Sequence, residues 1–290
     1  MNIRKLWIVV LLQFGAMAAQ AQIDPLTMQY FNNRYQLNPA FAGLEAGSRL
    51  NAGFRTQMSG VPGGPVSQAL TYDYGFDKVG LGLNIFNDKA GLQRQTRVAA
   101  SFAYHVTLAE DQKLNFGVSA GIMNERLSIG DIQGDPNDVL AGQYNDRDTH
   151  LDGDFGVAYT NTRLTIHAAV PNVRNFFKEE NIRFADVARF YSAVSYRIPL
   201  NGARESLVEP LVAYRILQEQ DDIWDAGAQL ELLDRQLLFT GLYHSSESAT
   251  FGVGMDYRLK YLVTASYTIN TSALRNYSHG NFEINLRLKF

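Results

Sequence analysis

Apolar and polar residues alternate with a period of two along most of the chain after residue 48. That period places successive side chains on opposite faces of extended strands. The last run is the plainest: Phe282, Ile284, Leu286, Leu288 and Phe290 share one face, and Glu283, Asn285, Arg287 and Lys289 the other. The first reads alike, with Leu50, Ala52, Phe54 and Met58 opposing Arg49, Asn51, Arg55 and Gln57. Between them lie Val66–Phe76, Val79–Ile85, Val98–Val106, Leu114–Ile122, Phe155–Tyr159, Leu164–Val170, Phe190–Ile198, Val208–Ile216, Trp224–Leu230, Leu237–Tyr243, Phe251–Tyr257 and Tyr261–Ile269. Together they predict about 14 strands, an even number, as closed barrels of this kind have.

Strand patterning alone leaves two architectures open. A soluble sandwich turns its apolar faces inward; a membrane barrel turns them out to lipid. The faces opposite the apolar ones are small or polar, as in Gly80, Gly82 and Asn84, in Asn115, Gly117, Ser119 and Gly121, and in Gly252, Gly254 and Asp256. Such a face suits a lumen. Connections mostly alternate in length. Tight turns are expected at Asp77-Lys78, Asn161-Thr162, Leu233-Asp234-Arg235 and Arg258-Leu259, with slightly longer ones over 107–112 and 200–206. Longer loops are expected over 59–65, 87–93, 127–150, 171–189 and 270–280. Short periplasmic turns and long outer loops are a barrel's signature. Tyr74, Phe76, Tyr104, Tyr159, Tyr257, Tyr261 and Phe290 fall at the short-turn ends, where an interfacial aromatic girdle belongs. The expectation is therefore an all-β chain: a transmembrane antiparallel β-barrel with both termini periplasmic, seated in a cell outer membrane and facing its lipid.

The first residues follow a different pattern. Arg4 and Lys5 precede an apolar stretch from Leu6 to Gly15, and Ala19-Gln20-Ala21 has the small-x-small form of a cleavage site. The apolar stretch is too short to span ~30 Å of hydrocarbon as an anchor helix. Residues 1–21 are thus expected to be a signal peptide. Residues 22–47 lack strong alternation and form an N-terminal segment that lies in the periplasm or plugs the lumen; residues 48–290 make the barrel.

Composition removes further options. The chain has no cysteine, so it has no disulfides, thiolate metal ligands or lipid anchor on a mature N-terminal Cys. A net charge of −3 offers no basic stripe for nucleic acid. The five histidines, His105, His150, His167, His244 and His279, are dispersed, with no HExxH, G-x-S-x-G or S-x-x-K arrangement. No catalytic residue, cofactor or metal ligand is assigned. Asp146, Asp148, His150, Asp152 and Asp154 cluster, and Asp148 to Gly153 resembles the start of a calcium loop. The twelfth position, however, is Tyr159 where a bidentate Glu is needed. An acidic outer loop descending into a polar lumen is the plainer reading.

Certain blocks carry a family resemblance: Asp24-Pro25, Gln29-Tyr30, Asn38-Pro39-Ala40-Phe41-Ala42-Gly43, Arg55-Thr56-Gln57, Gly63-Gly64-Pro65-Val66, Pro171-Asn172-Val173, Glu209-Pro210 and Gly280-Asn281-Phe282-Glu283-Ile284. Over the whole mature chain this resembles the PorP/SprF family of outer-membrane proteins of the Bacteroidetes type IX secretion and gliding system. Met58 and the order His279-Gly280-Asn281 depart from the usual family pattern. The resemblance implies a non-enzymatic barrel that partners secretion or surface attachment of adhesins with a C-terminal sorting domain. It implies contact with periplasmic or outer-membrane secretion components as well. Partner-binding residues expected on this reading are Asn38, Pro39, Ala40, Phe41 and Gly43 in the N-terminal block, and Phe176, Phe177 and Arg183 in the loop over 171–189. A passive porin or small-solute transporter is the alternative, and an outer-membrane phospholipase or protease a third.

Overall fold

The computed structural model describes residues 28–58, 63–128, 149–176, 188–200, 206–217, 221–270 and 280–290. They form one antiparallel sheet: β1 Gly47–Thr56, β2 Val66–Phe76, β3 Val79–Ala90, β4 Gln93–Ala109, β5 Gln112–Leu127, β6 His150–Thr160, β7 Leu164–Val170, β8 Ala188–Tyr196, β9 Ile198–Pro199, β10 Leu207–Leu217, β11 Ile223–Leu232, β12 Leu237–His244, β13 Ser248–Tyr257, β14 Tyr261–Asn270 and β15 Asn281–Lys289. β9 is a two-residue continuation of β8 along the edge of β10. The remaining 14 strands pair in chain order, and β1 pairs with β15 from Arg49↔Lys289 to Thr56↔Phe282, which closes the barrel. Closure leaves no sheet edge, the condition for strands to cross lipid.

The faces are inverted relative to a soluble protein. In β2, Leu70, Tyr72, Tyr74 and Phe76 are exposed, while Ser67, Ala69, Thr71 and Asp73 are buried. In β15, Phe282, Ile284 and Leu286 point out, and Glu283, Asn285 and Arg287 point in. A belt of apolar side chains this continuous is far larger than water tolerates on a monomer; hydrocarbon is the medium that stabilises it. Aromatics mark both rims. Tyr74, Phe76, Tyr104, Tyr257 and Tyr261 ring the end that holds the barrel termini, and Trp224, Tyr243, Phe251, Tyr267 and Phe282 lie toward the other.

Turn chemistry explains the tight connections. Arg258 and Leu259 both adopt the left-handed conformation (φ 56° and 55°) as the central residues of a turn closed by the Lys260 N–H on the Tyr257 carbonyl at 3.1 Å, the turn geometry that matches strand twist. Two connections are tighter than expected. The turn expected over 107–112 shrinks to Glu110-Asp111, since β4 and β5 continue to the pair Ala109↔Gln112. The stretch over 87–93 is not a long loop: β3 and β4 continue to the pair Ala90↔Gln93, and the chain reverses at Gly91 with φ +57°. Asn87, Asp88 and Lys89 are polar on both faces, so the strand continues past the lipid belt without the alternation that would mark it. Likewise β1 stops at Thr56, and Met58 lies beyond it at φ 49°.

Candidate functional site

The lumen is not empty. Residues Met28 to Leu44 run through it as a strap made of one helical turn, α1 (Gln29–Asn32), and two 310 turns, Arg34–Gln36 and Pro39–Phe41. The Asn38-Pro39-Ala40 sequence dictates the last of these. Asn38 is extended (φ −152°, ψ 117°) and caps the turn by accepting from the Ala40 N–H at 2.9 Å, and Pro39 supplies the fixed φ of the first turn position. The other end of the Asn38 amide donates to the carbonyls of Val157 (3.2 Å) and Ala168 (3.0 Å), so one buried side chain both caps the turn and bolts it to β6 and β7.

Glycines on the inner wall receive the strap. A β-carbon at Gly117 would lie 2.2 Å from both Pro39 C and Ala40 N; at Gly156, 1.9 Å from Asn38 Oδ1; at Gly80, 1.8 Å from the Ala42 carbonyl oxygen; at Gly75, 2.2 Å from the Gly43 carbonyl oxygen. No side chain fits between strap and wall at these points. Gly43 itself turns the chain at φ +58° against Gly80 and Tyr74, a position that suits only glycine. Its N–H donates to Asp73 at 2.9 Å, and the same carboxylate oxygen accepts from Arg49 at 2.6 and 3.0 Å.

Apolar packing and polar locks divide the rest. Tyr30 and Phe31 are buried with Ala169, Tyr191, Ala193, Leu211, Ala213 and Leu242; Tyr35, Ala40, Phe41 and Ala42 pack with Ala103 and Ala158. Each such aromatic contributes roughly 1.5–3 kcal/mol on burial. The Tyr30 hydroxyl donates to Asp225, which also holds Arg215 (2.9 Å) and His244 (2.7 Å). Arg34 pairs with Glu209, and Ser195 donates to the same carboxylate at 2.7 Å. At the strap's exit, partial burial opposes the Glu45 charge, but Arg49 (3.2 Å) and Lys289 (2.7 Å) outweigh it and hold the carboxyl near about 2.

The expected N-terminal residues Asn38, Pro39, Ala40, Phe41 and Gly43 are thus brought together, buried between strap and wall. Phe176 ends a 310 turn, Val173–Phe176, at the rim; Phe177 and Arg183 lie outside the described residues. Asp146 and Asp148 also lie outside them, whereas Asp152 and Asp154 face Arg97 at 3.6 and 2.7 Å. Three groups separated in sequence make a triad-like chain: Asp225, His244 (2.7 Å) and Thr250 (2.8 Å from His244). All three are fully buried and Thr250 is already bonded to Thr268 at 2.7 Å, so the chain ties β11 to β14 rather than meeting a substrate. Sequence reading placed Tyr30 and Glu209 in family blocks but missed Arg34, Asp225 and both pairings, since nothing local links residues 175 to 195 positions apart.

The strap divides the interior into chambers. One of about 220 Å3 lies on the loop side, floored by Tyr35, Leu37 and Pro39; the other, of about 140 Å3 and lined by Arg34, Glu45, Arg49, Asp73 and Arg287, lies on the terminal side.

A closed 14-stranded barrel with a lipid-facing belt and an internal plug belongs to the class of outer-membrane barrels, and solved structures agree. The Ralstonia pickettii toluene transporter TbuX superposes with a TM-score of 0.54 at 15% identity, over 89% of this chain and 93% of its own. Acinetobacter baumannii Omp33 gives 0.50 at 8%, over 86% and 100%, and the CymD monoaromatic hydrocarbon channel 0.50 at 12%, over 90% and 93%. At these identities the likeness is one of fold alone. Comparison with curated proteins gives no match. The profile of the type IX secretion system membrane protein PorP/SprF matches residues 19–288, and the chain belongs to that family. It is an outer-membrane β-barrel of the type IX secretion system.

Proposed function

We propose that this barrel is a plugged, non-enzymatic platform that partners secretion or surface attachment of cargo adhesins, and does not conduct solutes. The observation that supports this best is the strap: a covalently attached segment fills the lumen and is fitted to a glycine-lined wall, as a permanent part of the barrel would be. A barrel filled in this way offers its two rims. The outer rim would meet the cargo through the loops over 127–150 and 171–189, the second carrying Phe176, Phe177, Lys178, Arg183 and Arg189, a mix of aromatic and arginine side chains suited to protein contact. Asn38 to Gly43 would act from within, holding the strap so that the periplasmic rim keeps one shape for secretion components.

Affinity capture tests the reading. A tagged barrel purified from native membranes should bring down an adhesin with a C-terminal sorting domain or a secretion component, and Phe177→Ala with Arg183→Ala should reduce the cargo. Capture of neither class by the wild type refutes it.

A further inference from the structure

The outward face of β3, β4 and β5 on the loop side carries a chemistry that neither the strap nor the platform role uses. These strands stay in register from Leu83↔Ala100 to Ala90↔Gln93 and from Ala100↔Ala120 to Gln93↔Leu127, so every second residue keeps to one face. Leu83 and Ile122, 40% and 48% exposed, mark that face as the lipid side. Ile85, Val98 and Ile122 form its last apolar row. Beyond it stand Asn87, Thr96 and Asn124, and beyond those Lys89, Arg94 and Arg126, each directly opposite its neighbour. Three cations thus lie side by side across about 10 Å. Like charges opposite one another on paired strands are destabilising, and an anion between them would relieve the repulsion. Arg94 has a partner of its own, whereas Lys89 and Arg126 form no ion pair among the described residues. The acidic residues of this stretch, Asp88 and Glu125, fall on the opposite face.

We propose that this row binds the phosphate groups of a lipid headgroup in the outer leaflet, that of the phosphorylated glycolipid lipid A. The level is right. Lys89 lies four residues beyond Ile85, and on a strand tilted by about 40° this raises the basic row roughly 10 Å above the last apolar row along the membrane normal. Headgroups occupy about 5–8 Å beyond the hydrocarbon, and Lys and Arg side chains bend back along apolar surface to reach that layer. The surroundings fit as well. Elsewhere on the loop side Trp224, Tyr243, Phe251, Tyr267 and Phe282 lie toward the lipid boundary. On the same face of β3, β4 and β5, only Asn, Thr, Lys and Arg follow Ile85, Val98 and Ile122. A free phosphate would meet the cations alone. A lipid also lays its acyl chains on the apolar row directly beneath them, which assigns the row to a lipid.

The test is binding of phosphorylated lipid A, and of the same lipid stripped of its phosphates, to the purified full barrel in neutral detergent, empty micelles being subtracted. Wild type should bind the phosphorylated form the more tightly, and the difference should shrink as salt rises. Lys89→Gln with Arg126→Gln should weaken phosphorylated lipid A about 30-fold, roughly fivefold for each cation lost, and leave the stripped lipid unchanged. Lys78→Gln with Arg163→Gln removes the same charge from exposed turns at the opposite rim and should change neither. Inorganic phosphate should displace the lipid no better than chloride at equal ionic strength; displacement by phosphate alone would assign the row to a free anion and overturn the lipid reading. Equal binding of the two lipids by wild type overturns the proposal. An equal loss in both double variants does so too, because net charge alone would then account for the binding. Failure of adhesin capture leaves the lipid result standing, so the two readings fail separately.

Discussion

Gly117→Ala should loosen the strap without disturbing the barrel strand that carries it. The added β-carbon lies 2.2 Å from Pro39 C and Ala40 N, against the 3.4 Å of ordinary contact. The atoms it meets are backbone, which cannot rotate away, so the 310 turn must lift by roughly 1 Å. Asn38 spans that gap with bonds of 3.0 and 3.2 Å to the Ala168 and Val157 carbonyls, and a lift of this size carries both beyond hydrogen-bond range. At about 1 kcal/mol net for each, the docked strap loses roughly 2 kcal/mol, a shift of about 30-fold in its ratio of docked to released forms. Gly241→Ala is the matched control, because a β-carbon there meets nothing within 4 Å. The absence of native cysteine permits a clean reporter: Ala42→Cys, fully buried, read by a maleimide in each background. Labelling should be slow in the parent and in Gly241→Ala, and at least tenfold faster in Gly117→Ala. Equal rates in all three would refute the claim that the glycine wall seats the strap.

Glu45 ties the start of β1 to the end of β15 through Arg49 and Lys289. Its folded carboxyl titrates near about 2, below the ordinary carboxylate range. Its contribution is therefore complete above pH 5 and is lost as pH falls from there toward 2. Glu45→Gln should flatten the acid side of the pH–Tm curve by a modest amount, as Glu45 is half exposed and screened; an unaltered curve would contradict the pairing. Arg34→Met leaves Glu209 buried with the Ser195 hydroxyl (2.7 Å) and, as its cation among the described residues, the more distant Arg197 (3.8 Å), and should cost about 3–5 kcal/mol in urea unfolding. The double variant Arg34→Met with Glu209→Leu should recover most of that loss, and an additive double variant would show that the two groups do not interact. Closure by the β1–β15 ladder predicts a heat-modifiable band on an unboiled gel, and a single band unchanged by boiling would count against it.

Much of the fold was legible because lipid imposes a strict pattern. Every second residue from Leu70 to Phe76 in β2, and along β13 and β15, must be apolar, and that requirement survives in the sequence. It fades where strands leave the lipid, which is why the continuation of β3 through Asn87 to Ala90 read as loop. The site was legible only in part. Asn38 to Gly43 stands out as a block, but its partners are glycines, whose signal is a missing side chain. Gly80-x-Gly82 reads as part of a small lumen-facing wall without revealing that the Ala42 carbonyl and the Tyr35 hydroxyl are what approach. The locks of Tyr30 with Asp225 and Arg34 with Glu209 join the strap to the far half of the chain, and no local rule pairs them.

A barrel that holds partners and passes no solute should be electrically silent. The most direct measurement is the conductance of the purified wild-type barrel in a planar bilayer. The strap, packed on glycines and locked through Asp73, Asp225 and Glu209, predicts no sustained open channel, with openings appearing in Gly117→Ala. A steady porin-sized conductance from the wild type would contradict the account.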